Sequence, residues 1–277
     1  MTGVLPWAIS GLLLSAAALW NIAFFRLAPR LRLIKENFNK QPIIASYGIV
    51  AVPWVAAVVC SLALIGLAQW REVVFCLSVM SPMWVLGIAD DIFGTRKVGG
   101  FRGHFGKLFR ERKLGTGVLK AVGGGVVGLA AAWAIYGFGD ARWIPAALVI
   151  PLAANTLNLV DLRPGRALAV FLAGLGVTWL VAPGGLESPW LAAGLAAVGL
   201  AFAYIDCRAT AMMGDSGSNA LGAALGLMMA LELGPVAQIV AIVMMGGVQL
   251  YSERHSLSEL IERNRVLRAI DRRLGVR

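Results

Sequence analysis

Long apolar runs separated by short polar connections dominate the chain, and nine of them approach the length of a bilayer span. They cover roughly residues 3–25, 43–68, 72–89, 115–138, 143–160, 167–183, 189–205, 218–234 and 235–251. The last two are divided only at Leu233-Gly234-Pro235, a helix stop followed by a restart. Beyond Tyr251 the pattern changes. Ser256-x-x-Glu259 reads as a capping box. Leu257, Leu260, Ile261, Leu267, Ile270 and Leu274 follow at helical spacing, with Arg263, Arg265, Arg268, Arg272 and Arg273 between them. Residues 256–275 therefore predict an amphipathic helix lying on the membrane or packed against neighbouring loops. The expected fold is all-α: a polytopic bundle of about nine transmembrane helices plus this interfacial helix.

Composition sharpens that picture. The chain is 58% hydrophobic and only 14% charged, against about 25% charged in soluble domains. Residues 1–277 are expected to form one integral membrane domain, with no cleavable leader, because Met1 to Trp7 lacks a basic start. Cys60, Cys76 and Cys207 lie in or beside apolar runs, form no CxxC pair and read as packing residues.

The net charge of +10 would suit nucleic acid were it not so unevenly placed. Of the 25 Lys and Arg residues, 23 fall in alternate connections and the tail. Only Arg71 and Arg142 fall on the other side. The positive-inside rule then sets the N-terminus outside and the tail in the cytoplasm, and no nucleic-acid partner is expected.

Three polar clusters share that cytoplasmic side. Gly87-Ile88-Ala89-Asp90-Asp91 ends the third run, and paired carboxylates at a span's end are costly unless used. They suit a general base, a magnesium ligand, or one of each. Asn155, Asn158 and Asp161 follow at i, i+3, i+6, on one helix face, where they can hold a polar ligand or bond neighbouring helices. Arg163 and Arg166 flank a Pro164-Gly165 turn and make either a phosphate clamp or a topology signal. Gly214-Asp215-Ser216-Gly217-Ser218 leads into the eighth run. A serine there can cap the helix, its backbone N–H groups can face a phosphate, and Asp215 can hold Mg²⁺. Lys120 starts the fourth run after a basic, glycine-rich loop that contains His104. Gly124-x-x-x-Gly128 and Gly222-x-x-x-Gly226 predict close helix packing.

Taken in order, Gly87-Ile88-Ala89-Asp90-Asp91, Asn155-x-x-Asn158-x-x-Asp161 and Gly214-Asp215-x-Gly217-Ser218 resemble the motifs of the polyprenyl-phosphate N-acetylhexosamine-1-phosphate transferases. Asn39-Lys40-Gln41-Pro42 resembles that family's first cytoplasmic loop. The resemblance implies transfer of a sugar-1-phosphate from a UDP-sugar to undecaprenyl phosphate, releasing UMP, at a bacterial inner membrane during envelope glycopolymer synthesis. It implies Mg²⁺, with Mn²⁺ as the alternative, and a homodimer. It makes Asp215 a magnesium ligand with Asp91 beside it, and Asp90 the base that engages the lipid phosphate. Asn155, Asn158 and Asp161 fall on the nucleotide or metal side, and Lys120 on the diphosphate. Pro164 stands where the family has a second acid, Met212 where it often has an aromatic, and Ser252-Glu253-Arg254-His255 where it has a histidine-rich loop. A non-catalytic scaffold of envelope synthesis that keeps the fold is the alternative.

Overall fold

A computed structural model of the chain describes residues 4–31, 33–36, 40–94 and 116–275. Loop residues 95–115, with His104, lie outside the described residues. Eleven α-helices are described: α1 (Val4–Leu27), α2 (Ala51–Leu64), α3 (Trp70–Phe93), α4 (Thr116–Tyr136), α5 (Trp143–Val160), α6 (Arg166–Val181), α7 (Pro189–Asp206), α8 (Gly214–Glu232), α9 (Pro235–Ser252), α10 (Leu257–Arg263) and α11 (Arg265–Leu274). A 3₁₀ turn, Tyr47–Val50, leads into α2. Among the described residues seven helical segments are long and apolar enough to cross a bilayer. The sixth and eighth expected spans fall outside that set: α6 is apolar but 16 residues long, and α8 begins with a polar turn. The chain is an all-α bundle of the kind that spans membranes.

Helix α8 is the axis of the bundle. Every residue from Ser216 to Met228 is buried, and its closest packing is against α5 and α3. Small residues make that approach possible. A Cβ on Gly222 would stand 2.6 Å from Ala154 Cα, and one on Gly226 would stand 2.5 Å from Ile150 Cα. The predicted Gly222/Gly226 stripe is thus the α8–α5 seam. Gly222→Val is expected to drive these backbones apart and cost roughly 1–3 kcal/mol. Lower yield and a lower melting temperature in detergent would register it; an unchanged melting temperature would contradict the seam.

Two local differences from the sequence expectation bear on the site. A hairpin of β1 (Ile34–Glu36) and β2 (Pro42–Ile44) stands where the second apolar run was expected to begin. It is stitched onward to the segment before α8. Met212 N–H donates to Ile44 O at 2.7 Å, and Tyr47 and Gly48 N–H donate to Met212 and Met213 carbonyls at 2.8 Å. The tail is also two helices rather than one. Ser256 caps α10 as expected, accepting from Glu259 N–H at 3.3 Å. Asn264 then ends α10 and starts α11, its side chain accepting from Val266 and Leu267 N–H at 3.0 Å.

Candidate functional site

The polar residues of four helices meet at one end of the bundle. Asp90 and Asp91 lie in the last turn of α3, inside the helix, which runs four residues past its expected end. Lys120 lies in the first turns of α4, Asp161 at the C-cap of α5, and Asp215 in the first turn of α8. Gly87 lets α3 and α8 touch here: its missing Cβ would overlap the Asp215 carbonyl and Ser216 Cα.

At the centre is Lys120. Its ammonium lies 2.6 Å from Asp90 Oδ2 and 2.5 Å from Asp215 Oδ2, so one cation joins the two acids expected to do chemistry. All three side chains are partly buried, at 18, 18 and 30% exposure. They are sheltered enough to strengthen their attraction yet open to a ligand.

Asp91 faces elsewhere. Its Oδ1 and Oδ2 accept the backbone N–H groups of Asp215 and Ser216, each at 3.0 Å. Asp91 therefore caps α8 from another helix, where a negative charge complements the positive helix end. This corrects two expectations. The N–H groups at the start of α8 go to Asp91 rather than to a phosphate. Nor does a serine cap the helix: Ser218 bonds back to Gly214 O at 3.0 Å and accepts Asn158 Nδ2 at 3.1 Å. With both oxygens committed to the backbone, Asp91 positions Asp215. Asp91→Ala is expected to destabilise the protein by roughly 1–3 kcal/mol. It should also blunt whatever Asp215 binds; full stability in the variant would remove the capping role.

Lys35 was not singled out in the sequence. The β1–β2 hairpin brings its ammonium 2.9 Å from the Asp91 backbone carbonyl, at the negative end of α3. Only the Ile-Lys-Glu alternation of a short strand hinted at it.

Asp161 completes the acidic cluster. Burial pushes its carboxyl well above the usual carboxylate range; Asp206, Asp215 and Asp91 push it further, while a bond from Gly214 N–H opposes them. Asn155 lies one turn before Asn158 on α5, half-buried. Among the described residues, Asp90 and Asp215 thus share the Lys120 ammonium, Asp91 lies against the start of α8, and Asp161 feels the charges of Asp91 and Asp215.

The arginines were expected as either a phosphate clamp or a topology signal, and the surroundings of Arg166 do not suit a clamp. Its guanidinium is 4% exposed and is spent on the tail. Nε and Nη2 donate to the Asp271 carboxylate at 2.6 and 3.0 Å, and Nη1 donates to Ser258 Oγ at 2.8 Å. A buried, fully engaged guanidinium has no face left for a substrate. Arg163 is more open, 3.6 Å from Glu262 on α10. The Pro164-Gly165 turn between them is the seat of the tail. Gly165 N–H donates to buried Asp206 at 2.6 Å, and a Cβ on Gly165 would lie 2.6 Å from the Leu274 carbonyl. Pro164 thus sits in a turn that packs against the end of α11.

A magnesium ion fits this donor set in part. No three His, Cys, Asp or Glu side chains form a ready metal cage among the described residues. Magnesium does not need one, since it binds through one or two carboxylates plus substrate phosphates and water. Asp90 and Asp215, already converging on one cation, are such a pair; Asp91, turned to the backbone, is not.

The fold and this end of it define the class: a helical membrane protein with a carboxylate–lysine centre where the helices terminate. No protein-family model matches the chain, and no curated protein matches it.

Proposed function

We propose that the protein is a magnesium-dependent transferase that moves a sugar-1-phosphate from a UDP-sugar to undecaprenyl phosphate, with UMP as leaving group. The observation that carries this reading is Lys120 between Asp90 and Asp215, three residues from three helices converging on one cation position. Phosphoryl transfer asks mainly for positioning and charge neutralisation. A divalent ion held by Asp215 and Asp90 supplies charge neutralisation at the donor diphosphate. Lys120, beside the two acids that would hold that ion, would supply a second positive charge toward the same diphosphate. Asp90 faces the lipid phosphate whose oxygen attacks the sugar-bearing phosphorus, while the bond from that phosphorus to the oxygen of UMP breaks. Asn158 and Asp161 border the nucleotide side, and Asp91 and Lys35 hold the ends of α8 and α3 in register. The positive-inside charge pattern supports placing the site at the cytoplasmic face of a bacterial inner membrane.

A second reading draws on the same centre. The Asp90–Lys120–Asp215 triad is closed by the protein's own cation, as a structural ion cluster in a non-catalytic scaffold would be. The two readings part in one assay: purified protein, undecaprenyl phosphate, Mg²⁺ and a panel of UDP-linked amino sugars. Nucleotide release from one donor, abolished by EDTA, is the transferase outcome. Silence across the panel from folded protein is the scaffold outcome.

A further inference from the structure

Helix α11 is packed the wrong way round for a soluble helix. Its one acid, Asp271, is buried, while Val266, Leu267 and Ile270 are 66, 40 and 52% exposed. Those three lie within about 100° of arc, and Asp271 stands about 40° beyond Leu267. The helix thus gives one flank to the protein and leaves the adjoining apolar flank uncovered.

We infer that this flank docks on an anionic lipid leaflet, with α11 lying in the plane of the membrane surface. Three observations commit it to that partner. First, depth: Arg166 is the first residue of α6, and its guanidinium is 2.6 Å from Asp271. The Asp271 turn of α11 therefore lies one Arg–Asp side-chain pair away from the point where the apolar helix α6 begins. Second, charge: Asp271 is cancelled by Arg166, so the other charges of α11 are all positive: exposed Arg265, Arg272 and Arg273, and half-buried Arg268. Arg265, Arg268 and Arg272 lie opposite the apolar arc and Arg273 at its edge, and a one-signed polar face so placed is the pattern of interfacial helices on anionic lipid. Third, orientation: the Arg166–Asp271–Ser258 cluster is a buried, directional contact that holds α11 at one rotation about its axis. A helix held only by apolar contacts would roll its own leucine and isoleucine inward. Here the charge pair takes the protein side, and the apolar side is left for lipid.

The turn on which α11 rests also carries Asp161 and Arg163. The inference stands apart from the transferase reading and needs only that the bundle lies in a membrane.

Photocrosslinking of the full chain tests it. Ile270→p-benzoylphenylalanine, in nanodiscs of phosphatidylcholine with a quarter phosphatidylglycerol, is expected to give mainly lipid adducts by mass spectrometry. The same probe at Arg272 should give few. Pure phosphatidylcholine, or Arg265, Arg268, Arg272 and Arg273 all changed to Gln, should lower the Ile270 adduct yield several-fold. A crosslink from position 270 to a second copy of the chain would overturn the inference, as would equal yields at 270 and 272. So would a lipid adduct indifferent to lipid charge. Asp271→Asn, which keeps the side-chain shape but removes the ion pair, should blur the contrast between 270 and 272; an unaltered contrast would remove the orienting role.

Discussion

Asp215→Asn is expected to abolish magnesium-dependent turnover while leaving the protein folded. Asp215 is the acid on which the geometry converges: Lys120 donates to it at 2.5 Å, and Asp91 fixes its backbone by accepting its N–H. Asparagine keeps the volume and the backbone bond, so α8 stays capped. What it loses is the charge that would hold a divalent ion. Removing one preorganised electrostatic contact at a reacting centre typically costs roughly 10²–10³-fold in turnover. A fall in turnover of that order, with an unshifted melting temperature, is the expected pair of results. Activity within a few-fold of the parent would remove Asp215 from the site. Loss of folding would show that the carboxylate serves the bundle instead.

The second large effect lies outside the centre. Arg166→Ala or Asp271→Ala, made singly, is expected to destabilise the protein by roughly 3–5 kcal/mol, because each strands a buried opposite charge. The Arg166→Leu/Asp271→Leu double variant should recover most of that loss, since removing both charges leaves no unpaired ion behind. Thermal unfolding in detergent of the two single variants and the double variant measures the coupling. Additive losses would mean that the pair is not the link between tail and bundle. This prediction gives Arg166 a role that neither sequence expectation, phosphate clamp or topology signal, included. Nothing local to Leu162-Arg163-Pro164-Gly165-Arg166 could reveal that an aspartate 105 residues later occupies its guanidinium.

What the chain disclosed in advance follows from range. Helix α5 matches its expected bounds, Trp143 to Val160, because a charged residue stands at each edge of an uncharged, mostly apolar run. The Gly222/Gly226 seam was legible for the same reason, as spacing within one helix. Features set by partners distant in sequence were not. Helix α8 starts four residues earlier than its apolar run because Asp91, 124 positions before Asp215, supplies the cap. Lys35 entered the site through a hairpin too short to show a strand period. The break at Asn264 was available locally, since asparagine is a strong N-cap, but the leucine spacing ran smoothly across it. Within the site, Asp90, Lys120, Asp161 and Asp215 were expected together and lie together. Asp91 belongs with them, though in a positioning role that its sequence neighbours did not signal.

The most direct test of the proposed chemistry is the identity of the nucleotide released when the purified protein turns over a UDP-sugar with undecaprenyl phosphate and Mg²⁺. Transfer of a sugar-1-phosphate breaks the bond between the two phosphates. It therefore releases UMP and leaves a lipid with two phosphates. That is the result expected here, with both products lost in Asp215→Asn. Release of UDP with a lipid that bears one phosphate would mean that the sugar alone moves. That outcome would contradict a centre built around the donor diphosphate.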